Sequence, residues 1–250
     1  MIEWNKCYYT DCLDKNNGLP YLEKLIENGE MDKIDLCLTD PPYNFNYNGS
    51  IQKGHDYSKQ IFYKDYFENY ELFSKKWFNI TRKICKKLIF TCGNKNLKLW
   101  FDIEEPLEVF IHYKKNCASR TSLCRFARYE PILLYGKFNH LLDFRCNVFD
   151  IPLENGFLNK TFTKHVSPKP FQLYYQIIKR LKNKHNIKTV IDPFLGSGTT
   201  AEVCTKLGIK WIGYEINTEY EEDINNRIKK CKKEPVQTNL FSYKNFELKV

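Results

Sequence analysis

No apolar run in the sequence approaches the roughly 18 residues that a bilayer-crossing helix needs, and the mean hydropathy is −0.55. An integral membrane protein of the helical kind is excluded, and no membrane partner is expected. The first ten residues hold no apolar stretch of the sort a secretory signal carries, so export is not expected. Repeats of fixed period and low-complexity linkers are absent. This leaves a single domain over residues 1–250 rather than an array or a string of modules. Cysteine is plentiful at ten, but metal spacing is missing: there is no Cys-x-x-Cys pair and no histidine cluster beside any of them. A zinc site is therefore not expected, and no metal is assigned. Several thiols, Cys37 and Cys92 among them, stand inside apolar runs, where a reduced cysteine behaves as a small core residue. The expectation is a cytoplasmic protein without disulfides.

What is present is size, positive charge and aromatic rings. A chain of 250 residues buries about three quarters of its unfolded surface, so its core needs no staple. Lys and Arg exceed Asp and Glu by nine, a weak pointer to a polyanionic partner. Tyr, Phe and Trp are abundant and interleaved with Lys, which suits stacking on bases as well as filling a large core. Short apolar runs at 34–38, 87–92, 109–113, 132–135, 189–191 and 211–214 alternate with amphipathic stretches at 66–86, 171–184, 199–207 and 218–232. That alternation predicts an α/β fold on a mainly parallel sheet. Residues 44–64 and 136–164 follow neither period and are expected to be insertions on the functional edge of the sheet.

The clearest local pattern runs Thr189-Val190-Ile191-Asp192-Pro193-Phe194-Leu195-Gly196-Ser197-Gly198-Thr199-Thr200-Ala201. A strand ends at Asp192, two glycines allow a tight turn and close approach of a ligand to backbone, and Thr199 opens a helix whose free N–H groups can receive an anion. Glu215 ends the next strand 23 residues after Asp192, where nucleoside-binding α/β folds hold ribose hydroxyls. The glycines also fit the dinucleotide pattern G-x-G-x-x-A. Only 52 residues follow Gly198, however, which is thin for a second mononucleotide half but enough for one adenosyl group.

A second pattern closes the first predicted strand: Thr39-Asp40-Pro41-Pro42-Tyr43-Asn44. Two prolines fix two φ angles and remove two backbone donors. The remainder is rigid and rich in acceptors, namely the Asp40 carboxylate and the carbonyls of residues 40 to 42, with Tyr43 adding a flat face. Such a site suits the exocyclic amine of a base, whose two N–H bonds need acceptors and whose ring needs a stacking partner.

The pair of patterns resembles the S-adenosyl-L-methionine-dependent DNA amino-methyltransferases, the N(4)/N(6)-methyltransferase family. Asp40-Pro41-Pro42-Tyr43 is similar to its catalytic motif and Phe194-x-Gly196-x-Gly198-Thr199 to its cofactor motif. The catalytic motif comes first here, with 148 residues separating Tyr43 from Asp192. That is the motif order of the circularly permuted, or β, group. The resemblance covers nearly the whole chain. It implies a Rossmann-like sheet, mostly parallel with one antiparallel edge hairpin. Asp11 and Cys12 resemble an element that touches the cofactor's adenine, Leu88–Gly93 a strand motif after the catalytic loop, Arg128-Tyr129-Glu130-Pro131-Ile132 a hairpin motif near the target base, and His165 with Lys169 an element beside the cofactor's methionine end. Glu215 with Asn217 resembles the ribose-binding motif. The chain departs from the family in having Tyr113 before Lys114 where Trp is usual, and Pro168 where Gln is common.

The resemblance implies methyl transfer from S-adenosylmethionine to a base flipped out of double-stranded DNA. Asp40 and the Pro41 carbonyl would accept from the amine, Tyr43 would stack on the ring, and Asp192, Phe194, Gly196, Ser197, Gly198, Thr199 and Thr200 would hold the cofactor. Asp at the first motif position goes mostly with N6-adenine in that family and Ser with N4-cytosine, so adenine is expected, with cytosine as the alternative. An RNA adenine methyltransferase and an inactive DNA-binding module are weaker alternatives. Residues 44–64 are expected to be a mobile loop closing on DNA, and 136–164 a small target-recognition insertion. The short insertion raises a homodimer, and the family raises a cognate restriction endonuclease, as further partners.

Overall fold

The computed structural model describes residues 2–44, 67–117, 127–138, 146–153 and 168–233. The elements in chain order are β1 (Lys6–Tyr8), α1 (Leu19–Glu27), β2 (Leu36–Thr39), α2 (Tyr70–Ile84), β3 (Lys87–Thr91), α3 (Leu97–Ile103), β4 (Glu108–Tyr113), β5 (Tyr129–Gly136), β6 (Val148–Asp150), α4 (Phe171–His185), β7 (Thr189–Asp192), α5 (Thr199–Leu207), β8 (Lys210–Tyr214) and α6 (Glu221–Lys233). Each predicted strand and helix falls on one of these. α2 is tighter than the stretch 66–86: the Asn69 side chain accepts from the Leu72 N–H and starts the helix, and Cys85 turns extended to pair with Ile34. β1, α1, α3 and β6 lie outside the predicted elements. α1 carries Pro20 in its first turn, where a missing N–H costs nothing.

The eight strands form one sheet in the order β1-β8-β7-β2-β3-β5-β4-β6. Every neighbouring pair is parallel except those of β5, which runs against both β3 and β4. The expected antiparallel hairpin is thus β4–β5, with short β6 added parallel along its outer side.

Successive residues of a strand point to opposite faces, and here both faces are covered. Leu36, Leu38, Ile89 and Val190 pack with Leu173, Ile177, Leu181 and Val203 of α4 and α5. Cys37, Leu88, Phe90 and Ile191 pack with Leu22, Trp77, Phe78 and Trp100 of α1–α3. The runs read as continuously apolar because neither face meets water. On the second face Trp77, Phe78, Phe90 and Trp100 contact one another at centroid distances from 4.7 to 6.3 Å. Each such ring contributes roughly 1.5–3 kcal/mol by burial. Among the described residues every cysteine is a free thiol, most of them buried, and no helix is long and apolar enough to cross a membrane.

The chain steps outward from β2 to β3 on one side and from β7 to β8 on the other, so strand order reverses between β7 and β2. In an open parallel sheet the crevice beyond the carboxyl ends at such a reversal is where ligands bind. The two sequence patterns end these two strands.

Candidate active site

Asp40 follows β2 directly, and its two oxygens differ. Oδ1 accepts from Thr91 Oγ1 at 2.5 Å and from the Tyr43 hydroxyl at 2.6 Å, and lies 3.0 Å from Lys169 Nζ. Oδ2 accepts from no described residue. The backbone after it is sorted in the same way. The Tyr70 hydroxyl donates to the Pro42 carbonyl at 2.7 Å and Asn96 Nδ2 to the Tyr43 carbonyl at 2.8 Å. The Pro41 carbonyl has no donor among the described residues. Of the acceptors offered by Asp40–Tyr43, the ones that the described residues leave open are therefore Asp40 Oδ2 and the carbonyls ahead of Pro42. The Pro42 carbonyl, counted as an open acceptor from sequence, is occupied.

Asp192 ends β7 next door. Its Oδ1 accepts from Thr39 Oγ1 at 2.5 Å and the Phe194 N–H at 3.0 Å, and its Oδ2 from Thr200 Oγ1 at 2.5 Å. Among the described residues no cation touches it. Burial raises its pKa to about 6, against the pull of these three donors. The turn that follows uses left-handed backbone at Gly196 (φ 53°) and Gly198 (φ 87°). A Cβ on Gly198 would also come within 3.1 Å of Ile224 on α6, so a side chain here would crowd that helix as well as strain the turn. Glu215 braces the turn: Oε2 accepts from the Gly196 N–H at 2.7 Å and Oε1 from the Asn217 N–H at 2.8 Å. Burial raises its pKa, again against those backbone donors.

Between the two strand ends lies an open cleft lined by Asp40, Pro168, Lys169, Tyr174, Asp192 and Phe194 and by the turn residues Leu195, Gly196, Ser197, Thr199 and Thr200. Tyr174 belongs to the buried face of α4, yet its hydroxyl has no hydrogen-bond partner among the described residues. Lys169 joins the two halves. Its carbonyl accepts from Thr199 Oγ1 at 3.1 Å, on the glycine-turn side, while its ammonium reaches Asp40 and both oxygens of Glu130 at 3.0 Å. Burial alone would lower the lysine pKa, but the Asp40 and Glu130 charges hold it above its usual value. Burial and the neighbouring carboxylates push the Tyr43 phenol well up.

The sequence-predicted residues thus fall into groups. Asp40, Lys169, Asp192, Phe194, Gly196, Ser197, Thr199 and Thr200 share the cleft. Asp11 and Cys12 follow β1, which pairs with β8 on the Glu215 side of the sheet, outside the cleft lining. The Asn217 side chain caps the turn Thr218–Tyr220 by accepting from the Glu219 N–H. His165 lies outside the described residues, as do nearly all of 44–64 and most of 136–164. Asn44 accepts from the Phe67 N–H at 2.9 Å, joining the two flanks of residues 45–66. Residues the sequence did not single out for the site are Thr39, Tyr70, Thr91, Asn96 and Tyr174.

Residues 144–226 match the family model described as DNA methylase. The chain is similar to the Type II methyltransferase M.HpaI of Haemophilus parainfluenzae, 26% identical over 236 residues that span 82% of this chain and 71% of that one. It is similar also to the DNA adenine methyltransferase YhdJ of Escherichia coli K12, 28% identical over 238 residues, 76% and 74% of the two chains. The crystal structure of an M1.HpyAVI–SAM complex shares the fold, with a TM-score of 0.54 at 21% identity over 89% of this chain and 98% of that one. In the two motifs that flank the switch point, as in its fold, the chain is thus similar to the N4/N6 DNA methyltransferases.

Proposed function

We propose that the protein transfers the methyl group of S-adenosylmethionine to the exocyclic N6 amine of adenine in a specific sequence of double-stranded DNA, as a modification methylase. The observation that carries this is the open acceptor pair, Asp40 Oδ2 and the Pro41 carbonyl, one strand away from the Asp192–Thr200 turn. The donor set around the cleft suits the cofactor. It offers carboxylates for a cationic ligand, a glycine turn for close approach, and in Tyr174 a buried hydroxyl that still needs a partner.

When bound, S-adenosylmethionine supplies an electrophilic methyl on a sulfonium. The protein's part is to present the amine. Asp40 Oδ2 and the Pro41 carbonyl accept its two hydrogens, which draws the nitrogen toward a pyramidal shape and frees its lone pair. Asp40 need not remove a proton beforehand, because proton loss is easier once nitrogen has become cationic. Tyr43 supports the base by its ring while its hydroxyl is tied to Asp40. Asp192, Tyr174 and the turn from Phe194 to Thr200 hold the cofactor, with Glu215, Asn217, Asp11, Cys12 and His165 on its adenosine and methionine flanks. Residues 44–64 close over the DNA and 136–164 read the sequence. A second copy of the chain and a cognate restriction endonuclease are the partners of such an enzyme, which works in the cytoplasm. Adenine is favoured over cytosine because the first motif residue is Asp and because the similar YhdJ protein is named an adenine methyltransferase.

Methylation-aware sequencing of DNA from a host expressing the protein tests this. N6-methyladenine at one fixed sequence is expected. N4-methylcytosine there would replace the base assignment, and an unmarked genome from a host making folded protein would overturn the function. Binding to the duplex should weaken steeply with salt. With about five phosphate contacts, log K should fall with log salt at a slope of roughly −4 to −5.

A further inference from the structure

We propose that Glu130 is a positioning residue for methyl transfer: a buried carboxylate on β5 that holds the Lys169 ammonium and the Tyr43 hydroxyl and through them fixes which oxygen of Asp40 faces the substrate. The inference rests on the reaction proposed above and adds a residue that does not touch cofactor or base.

Glu130 is only 5% exposed, and a carboxylate that deep is costly unless charges or donors surround it. They do, from several elements. Lys169, just before α4, places Nζ 3.0 Å from each of its oxygens. The Tyr43 hydroxyl lies 3.1 Å from Oε1. Lys114 Nζ, just beyond β4, is 3.6 Å from Oε1, and His112 Nδ1 on β4 is 3.6 Å from Oε2. The far ring nitrogen of His112 bonds the Ile151 carbonyl at 2.8 Å, which fixes the imidazole against Glu130.

The geometry divides the ammonium unequally. Glu130 takes it with two oxygens and Asp40 with one. Lys169 is therefore held chiefly by Glu130 and serves as a third donor to Asp40 Oδ1, beside Thr91 and Tyr43. With three donors on one oxygen, the Asp40 carboxylate cannot turn about its last bond without losing all three. Oδ2 is then the oxygen presented to the cleft. The Tyr43 hydroxyl is steered in the same way, its single proton lying between two carboxylates 2.6 and 3.1 Å away. If Glu130 lost its charge, Asp40 would be the sole close anion left to Lys169 among the described residues. The ammonium would then compete with the target amine for the oxygen the amine needs. Stability gives weak grounds for this cluster, since a buried ion network is often no better than apolar packing of the same volume.

The test compares wild type, Glu130→Gln, Lys169→Met and the double variant, using the DNA sequence found by methylation sequencing. Glu130→Gln should lower kcat about 100-fold, the scale of a small misplacement of reacting groups, while KM for DNA and cofactor stays within about threefold. The double variant should turn over faster than Glu130→Gln alone, because no unpaired ammonium remains to occupy Asp40. A wild-type kcat in folded Glu130→Gln overturns the inference. So does a loss confined to KM for the cofactor, or a double variant that is slower than Glu130→Gln by the full effect of Lys169→Met. If Glu130→Gln does not fold, the charge-neutral double variant decides: reduced kcat at unchanged cofactor affinity supports the positioning role, and wild-type kcat overturns it. A wild-type protein that methylates no duplex fails the proposed reaction itself, whereas an active wild type with an indifferent Glu130 fails only the present inference.

Discussion

Asp40 and Asp192 end neighbouring parallel strands, and the proposed chemistry gives them opposite surroundings. Asp40 is set among charges: an ammonium at 3.0 Å, a second carboxylate beyond it, and two hydroxyl donors. Among the described residues Asp192 is ringed only by neutral donors, two threonine hydroxyls and one backbone N–H. The first carboxylate has its counter-charge built in, so its open oxygen can serve a neutral amine. The second lacks one, and its carboxyl sits near 6 because burial opposes the charge. A ligand of net positive charge supplies what Asp192 is missing. Neighbouring acids thus suit different partners, one the base and one the cofactor.

The sharpest way to break this contrast is Asp40→Ala. Turnover should fall by about a thousandfold, while cofactor affinity stays within about tenfold, or ~1.4 kcal/mol; calorimetry and a single-turnover assay measure the two. An equal loss of both would merge the two sites. Glu215→Ala should do the reverse, weakening the cofactor by about 1.5–3 kcal/mol, since the turn loses the acceptor for the Gly196 N–H. Unchanged affinity would remove Glu215 from the cofactor side.

A pH titration probes Asp192 itself. Its ordinary value is 3.8 and its folded value about 6. Below 3.8 both folded and unfolded chains hold the proton. As pH rises toward 6 the unfolded chain releases it first, so stability falls, by roughly 3 kcal/mol in all. Melting wild type and Asp192→Asn between pH 4 and 7 should show that slope in wild type and its loss in the variant. Binding should run the other way: affinity for the positively charged cofactor should rise with pH through about 6 in wild type and stay flat in Asp192→Asn. The smallest effect is expected from Tyr174→Phe, about 0.5–1.5 kcal/mol of cofactor affinity for one neutral hydrogen bond, with turnover at saturating cofactor unchanged.

What was legible in the sequence was the part written in local rules. Pro41-Pro42 and the paired glycines at 196 and 198 state their backbone requirements within a few residues, and both mark carboxyl ends of parallel strands, where a site is sought. The Glu130 network was not legible for a directional reason. β5 runs against its neighbours, so its beginning, not its end, reaches the site. Glu130 stands second in its strand, where the sequence offers only a resemblance to a hairpin motif near the target base and no sign of the lysine it holds. Tyr174 was hidden by periodicity: it falls on the buried face of α4 with Leu173 and Ile177, and a tyrosine there reads as core until its hydroxyl is found to lack a partner among the described residues. Thr91 was masked by the apolar run of β3. α3 escaped because it is short, and β1 and β6 because three residues carry no readable alternation.

The bond from Thr39 Oγ1 to Asp192 Oδ1 joins residues 153 positions apart. To the chemistry, the distance along the chain does not exist; only adjacency in the sheet does. Motif order is therefore a matter of where the polypeptide was opened, and a chain that entered the sheet at β7 and finished on β6 and α4 would build the same pair of turns. The practical lesson is for chimeras between relatives. Crossovers are safe in segments far from this seam, whereas β2 and β7 are best inherited from one parent, because a 2.5 Å contact between their ends leaves no slack for mismatched strands.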